Sequence, residues 1–503
     1  MLSRPSVPVA VVLGILLLAG CPAVTPVSID PQSGATGTHW LRFAQISDVH
    51  VVDEESPARM VRFASLIPPA WRPQDGYTAP ILDATLQVLN AYHEAGKAEA
   101  RPVDFLLVTG DVADNGQYNE LRWFIDTMDG RTVCTDSGAL DGVLRAVPAE
   151  DNPKLPYAAG GLDLEIPWYA VYGNHDGLAA GSFLIRRSTS DPAYWRSPQI
   201  FPVAHLMGLH DISIFLNDLI PTLDHSPAII RASEEPLDPE ILELDMDRLE
   251  AGPIEPDPDR HYISRGIFVD ALFDSTSEPP GHGFAEGSEV TRYSVRPKAE
   301  VPLRLVVLDT VPPDQPEGIP VEYGVMTREQ FEGFLMPEIE AARGAGEYVI
   351  VVSHHPAEDF NKPYPDSVKA FEFRHYLTLQ PHVVAHMAGH THEHRVSRVQ
   401  GPYAYVEITT ASLIDLPQEG RILDLYYDES TETVRIEGVT FSHTENPTRL
   451  SAEGYRRAAV DAARQGLTEA AAKAMAEAFS LLERYGADED RNLSVSIPVA
   501  AVP

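Results

Sequence analysis

Short apolar, β-branched runs recur along the 503-residue chain, each closing in polar residues. They are Leu41–Ser47, Val103–Thr109, Pro167–Tyr172, Leu303–Leu308, Tyr348–Ser353, His382–Ala388 and Tyr403–Thr409. Their length and near-uniform apolarity predict strands of sheets covered on both faces. Stretches with helical spacing lie between them, such as Ala79–Glu99 and Arg328–Arg343, and the alternation predicts an α/β fold. Two more strand-like runs, Ile422–Tyr427 and Thr433–Thr440, close the domain. Beyond them Ser451–Tyr485, rich in Ala, Glu and Arg, reads as a helix with Ser451 as its N-cap. The interval from about Gly177 to Lys298 is crowded with Pro, Asp and Glu and reads as an insertion over the sheet. Segment 131–165 reads as a smaller one. No internal repeat is visible.

The first twenty residues follow another pattern. Arg4 precedes the apolar run Val9–Leu18, which is short for a membrane span and ends in Leu18-Ala19-Gly20-Cys21. Small residues leading directly into a Cys resemble a bacterial lipoprotein signal, with residues 1–20 removed and Cys21 lipidated. An ordinary secretory signal that happens to meet a Cys is the alternative. Both readings export the protein, and the first places it on a membrane of the bacterial cell envelope. Residues 21–40, rich in Pro, Ser, Thr and Gly, then read as a tether. With two cysteines in the chain, lipidation of Cys21 leaves Cys134 without an intrachain partner, and a Cys21–Cys134 disulfide is the other possibility. Residues 41–445 form the expected domain, and 446–503 a helical extension and tail.

Composition narrows the function. A formal net charge of −36, with no Lys/Arg-rich block, argues against a nucleic-acid-binding surface. The same charge repels any anionic substrate, so a local positive charge has to offset it. Five motifs fall at the C-terminal ends of expected strands, the edge where open α/β sheets bind ligands. They are Asp48-Val49-His50, Gly110-Asp111-Val112-Ala113-Asp114, Gly173-Asn174-His175-Asp176, His354-His355-Pro356 and Gly389-His390-Thr391-His392. Carboxylates and imidazoles without thiolates suit Mn, Fe or Zn. Taken singly, Asp48 or Asp111 would serve as a turn or helix cap, and Gly173 or Gly389 as a turn glycine. Jointly they form a donor set.

In this order the five motifs resemble the calcineurin-like metallophosphoesterase superfamily, over most of residues 41–410. The resemblance implies an α/β/β/α sandwich of two sheets flanked by helices, here carrying the large insertion and the C-terminal helix. It implies two metal ions, divalent or of mixed valence, with Asp111 bridging them. Asp48, His50 and His392 would complete one ion and Asn174, His354 and His390 the other. It also implies phosphomonoester or phosphodiester hydrolysis by a bridging hydroxide, with His175 as general acid and Asp114 orienting it. Two divalent ions facing two carboxylates leave the site positive, which answers the repulsion. His355 stands either against substrate or behind the ligands. Arg59 faces a phosphate or pairs with Asp53, Glu54 and Glu55, and His282 is a substrate contact or a loop histidine. Two departures narrow the group. Asn115 stands where protein Ser/Thr phosphatases carry Arg, and Asp114 stands where purple acid phosphatases carry a Tyr ligand. An inactive surface lipoprotein with a binding role is the competing reading, which the intact donor set argues against; metal storage is a third, and a two-ion site with a candidate acid at His175 exceeds what storage requires.

Overall fold

The computed structural model describes residues 24–26, 37–56, 72–138, 152–179, 181–184, 257–313, 323–465 and 488–500. Thirteen strands of three or more residues are present among them. In chain order they are β1 Val24–Pro26, β2 Thr38–Ile46, β3 Phe105–Val108, β4 Trp168–Ala170, β5 Tyr293–Val295, β6 Leu303–Val307, β7 Tyr348–Val352, β8 Val383–Ala388, β9 Arg395–Val399, β10 Tyr405–Thr409, β11 Glu419–Asp428, β12 Thr433–Ser442 and β13 Leu493–Pro498. The main helices are α1 Thr78–Ala98, α2 Tyr118–Met128, α3 Arg265–Leu272, α4 Met336–Ala345, α5 Ala370–Thr378 and α6 Arg449–Gln465. A π-helical turn, Phe331–Leu335, precedes α4.

The strands form two sheets, one ordered β1-β9-β10-β8-β7-β6-β5 and the other β13-β12-β11-β2-β3-β4. Each has a parallel centre, β6-β7-β8-β10 in the first and β2-β3-β4 in the second. Alternation along single strands explains the layering. Leu305, Val307, Ile350 and Val352 join a core that also holds Phe43, Phe105 and Leu423 from the other sheet. Their neighbours Val306, Val349 and Val351 turn outward onto Phe331, Leu335, Ile339, Phe373 and Leu377 of the covering helices. On the far side α1 and α6 pack together over the second sheet. The result is an α/β/β/α sandwich. Each fully buried Val, Leu, Ile or Phe contributes about 1.5–3 kcal/mol, so two-sided burial is what holds the layers together.

Register sets the site. Ile46 lies opposite Val108 and Val108 opposite Ala170, so β2, β3 and β4 end level with one another. In the other sheet Val352 pairs with Met387 and Ala388 with Thr409. The loops leaving all these strands therefore meet along one edge, where the two sheets come together.

Four expectations change at this level. The expected tether does not stay clear of the domain, because β1 pairs with the edge strand β9 and β2 begins at Thr38. The interval 177–298 is not wholly an insertion, since α3 packs into the main core and β5 is an edge strand of the first sheet. The tail is not purely helical: β13 pairs with β12 and adds a sixth strand to the second sheet. The cap of α6 is Thr448 rather than Ser451. Thr448 Oγ1 accepts from the Ser451 N–H at 3.1 Å and Ser451 Oγ accepts from the Thr448 N–H at 2.9 Å, a reciprocal box one turn earlier. Among the described residues no helix is long and apolar enough to cross a membrane. Cys21 lies outside the described residues.

Candidate metal centre

Strand ends deliver the motifs, but unusual backbone aims them. Asp48 and His50 have φ of +50° and +46°, Asp111 +52°, and His390 and His392 +69° and +58°. The left-handed region costs a non-glycine residue on the order of 1–3 kcal/mol. It also lets residues i and i+2 of Asp-x-His turn toward one point, which an extended strand would send to one face in parallel. Neighbouring loops hold this geometry. The Asp48 N–H donates to Gly110 O at 3.1 Å and the His50 N–H to Asp111 O at 2.9 Å. The His390 N–H donates to Asp48 Oδ2 at 2.9 Å, joining the two sheets. Gly173 allows a close approach, since a Cβ there would overlap the Asp111 carboxylate and amide.

Seven side chains converge. His392 Nε2 lies 3.3 Å and His50 Nε2 3.9 Å from Asp48 Oδ1, and His50 Nε2 is 3.7 Å from Asp111 Oδ2. His354 Nε2 lies 3.1 Å from Asp111 Oδ2 and 2.9 Å from Asn174 Oδ1. His390 lies edge-on to His354 and tilted against His355, with ring centroids 5.2 and 4.4 Å away.

Three imidazoles are fixed from behind, each by an oxygen at Nδ1. His50 uses the Asp114 carboxylate at 3.0 Å, His392 the Asp415 carboxylate at 2.7 Å, and His354 the Thr109 carbonyl at 2.8 Å. A proton held at Nδ1 leaves the Nε2 lone pair facing inward, the ligand form of histidine.

Two of the inward-facing atoms, Asp48 Oδ1 and His50 Nε2, are buried and left without a hydrogen-bond partner. His354 Nε2 faces two oxygens, neither of which carries a hydrogen. Such a constellation calls for cations, and the donors fit metal ions. The charges respond accordingly. Burial pushes the Asp48 carboxyl up, but His392, His354 and His50 outweigh it and hold it below the usual carboxylate range. Asp111 is held low in the same way by His354, His175 and His50. Against the cost of burial, Asp111 and Asp48 raise His354 to about 10, and Asp48 with Asp415 raises His392 to about 9. Burial and the His354 charge push His390 down to about 3.

The other expected residues divide. His175 is partly exposed beside His50, with ring centroids 4.5 Å apart, and its N–H donates to Asp111 Oδ1 at 2.8 Å. Asp114 does not hold it as expected. The main-chain oxygen of Asp114 meets His175 Nδ1, while its carboxylate serves His50 and lies 3.9 Å from His175. His355 is fully buried, its Nδ1 2.8 Å from Thr310 Oγ1, which takes it off any open substrate surface. His282 is a core residue rather than a substrate contact: it is buried and stacked on Trp168 at 3.4 Å between centroids. Burial drives its pKa down to about 3. Arg59 lies outside the described residues.

Several residues here carried no expected role. Asp176, inside a quoted motif, accepts the N–H groups of Asp111, Val112, Ala113 and Gly173 at 2.9–3.0 Å and shapes the Asp111 loop. Asp415 lies six residues beyond the end of β10 and could have been found as a further acid on a loop that leaves the same sheet edge. Asp359 Oδ2 lies 3.5 Å from His390 Nε2. Arg72 pairs with Asp114 and Asp415, and nothing local in the sequence marks it.

Fold and donor set together define a candidate metal centre on a two-sheet α/β scaffold. Residues 41–242 match the family model for calcineurin-like phosphoesterases. Among solved structures, a dimetal phosphatase from Danio rerio is similar over 81% of this chain and 100% of that one, with 14% identity and a TM-score of 0.35. No curated protein matches the chain.

Proposed function

We propose that the chain hydrolyses phosphoesters at a pair of metal ions. Asp48, His50 and His392 would hold one ion, Asn174, His354 and His390 the other, with Asp111 shared. The observation that carries this reading is the convergence of seven donor side chains on a point where two buried acceptors, Asp48 Oδ1 and His50 Nε2, have no hydrogen-bond partner. When bound, the pair supplies Lewis acidity to phosphoryl oxygens and a water acidic enough to act as nucleophile at neutral pH. Asp48 and Asp111 balance the added charge, and the oxygens at Nδ1 keep the imidazoles in their ligand form. His175 stands beside the donor set with its Nδ1 on the Asp114 carbonyl, so Nε2 is free to carry a proton to a leaving oxygen.

The reading is tested with metal-depleted protein reloaded with Mn or Zn, on bis-p-nitrophenyl phosphate and p-nitrophenyl phosphate. Turnover that depends on the metal is expected, and the ratio of the two rates ranks diester against monoester cleavage. No turnover of either ester by protein holding two ions per chain would overturn it in favour of a binding role.

A further inference from the structure

The two halves of the donor set are supported differently. His354 leans on a main-chain carbonyl, which carries no formal charge. His50 and His392 both lean on carboxylates, Asp114 and Asp415. Two buried anions behind one ion's ligands need a cation of their own, or desolvation and mutual repulsion would drive them apart or neutralise them. The chain places one there. Arg72 is 3% exposed, with Nη1 3.5 Å from Asp114 Oδ1 and Nε 3.2 Å from Asp415 Oδ1. Its own backbone is pinned, because its N–H donates to Asp75 Oδ2 at 2.9 Å. Gln74 Nε2 adds a contact to Asp415 Oδ1 at 3.3 Å.

Helix α6 buttresses this corner. Arg457 Nη1 donates to Pro73 O at 3.3 Å and its guanidinium lies over Tyr77, 4.7 Å from the ring centroid. The buried carboxylate of Asp461 adds its charge to those acting on Arg72. The C-terminal helix thus reaches the metal centre through one arginine.

We propose that Arg72 is a positioning residue that locks Asp114 and Asp415 behind His50 and His392, and so secures one ion of the pair and not the other. The inference rests on the ligand assignment given under Proposed function. A guanidinium fork spans two acids at once; a lysine ammonium is a point charge and cannot. Removing a group behind metal ligands typically weakens binding by about 10–100-fold.

The test uses the full chain as wild type, Arg72→Met and Arg72→Lys, loaded with Mn or Zn and titrated with a chelator while bound metal per chain is measured. Wild type is expected to hold two ions. Arg72→Met should bind one of them about 10–100-fold more weakly and keep the other unchanged, with Arg72→Lys in between. Asp415→Asn should weaken the same ion, which covers the case that Arg72→Met does not fold. Thermal unfolding with and without metal separates positioning from bulk stability. A purely structural arginine would lower both melting temperatures equally, whereas a positioning one shrinks the rise that metal produces. Two ions held as tightly as in wild type, or equal weakening of both, would overturn the role of Arg72. Wild type holding no ion would overturn the ligand assignment itself, and the proposal with it.

Discussion

Single side chains divide the labour at the centre, and substitution can separate them. Asp111 faces His50 and His354 from one carboxylate. Asp111→Asn is therefore expected to abolish turnover and to lower the content of both ions, because an amide cannot balance charge on two cations. Elemental analysis finding both ions retained would contradict the shared role. His175→Ala should keep both ions and slow turnover by about 10²–10⁴-fold, with a smaller loss for good leaving groups such as p-nitrophenolate. Asp114→Asn should behave otherwise, since that carboxylate serves His50 while a carbonyl serves His175. It should lose metal affinity first, and a rate that depended on leaving group with metal intact would place the carboxylate back on His175.

Elements set the positions that residues then use. Level strand ends in two sheets bring five motifs and Asp415 together, and no motif could do this if the register slipped by one residue. The closing strand β13 belongs to this scaffold although β12 and β11 separate it from β2. Ile497 on it is fully buried opposite Val434. Ile497→Ala is expected to cost about 2–5 kcal/mol of stability, read by denaturant unfolding, with bound metal per folded chain unchanged. Loss of metal at full stability would show that the sheet edge is coupled to the centre instead.

The molecule as a whole is strongly acidic, yet its centre gathers histidines whose protons stand where cations belong. His354 and His392 are raised to about 10 and about 9 in the metal-free chain, so both are protonated at neutral pH. The sign follows from linkage. A raised histidine stabilises the fold fully below its unfolded value of about 6.5, and that contribution is lost as pH rises through the folded value. The metal-free protein should therefore lose melting temperature between pH 7 and 10, while the rise produced by metal grows over the same range. Metal loading at pH 7.5 should release protons, measurable by titration in weakly buffered solution; loading with no proton release would refute this account. Location is a separate matter. If Cys21 is lipidated, Cys21→Ala should move the protein from the membrane fraction to the soluble one. Wild-type protein found wholly soluble would sink that proposal.

How much of this was legible beforehand depends on the range of the interaction. Apolar runs of strand length identify β2, β3, β4, β6, β7, β8 and β10 because two-sided burial writes itself into consecutive residues. The donors Asp48, His50, Asp111, Asn174, His354, His390 and His392 are legible for a related reason: each lies within a few residues of a strand end, and a strand end is a local signal. Short strands at sheet edges are not legible. β1, β5 and β13 owe their pairing to a neighbour distant in sequence, and nothing in Val24–Pro26 or Leu493–Pro498 names β9 or β12 as partner. His282 misleads for the opposite reason, since a loop-like Gly-His-Gly gives no hint that Trp168 waits to cover the ring. The sequence by itself determined which donors exist and which edge of the sheets they occupy. Tertiary structure decided what stands behind them: that Asp114 turns to His50, that Asp415 holds His392, and that Arg72 joins the two, because a buried charge is placed by the distant charges it must meet.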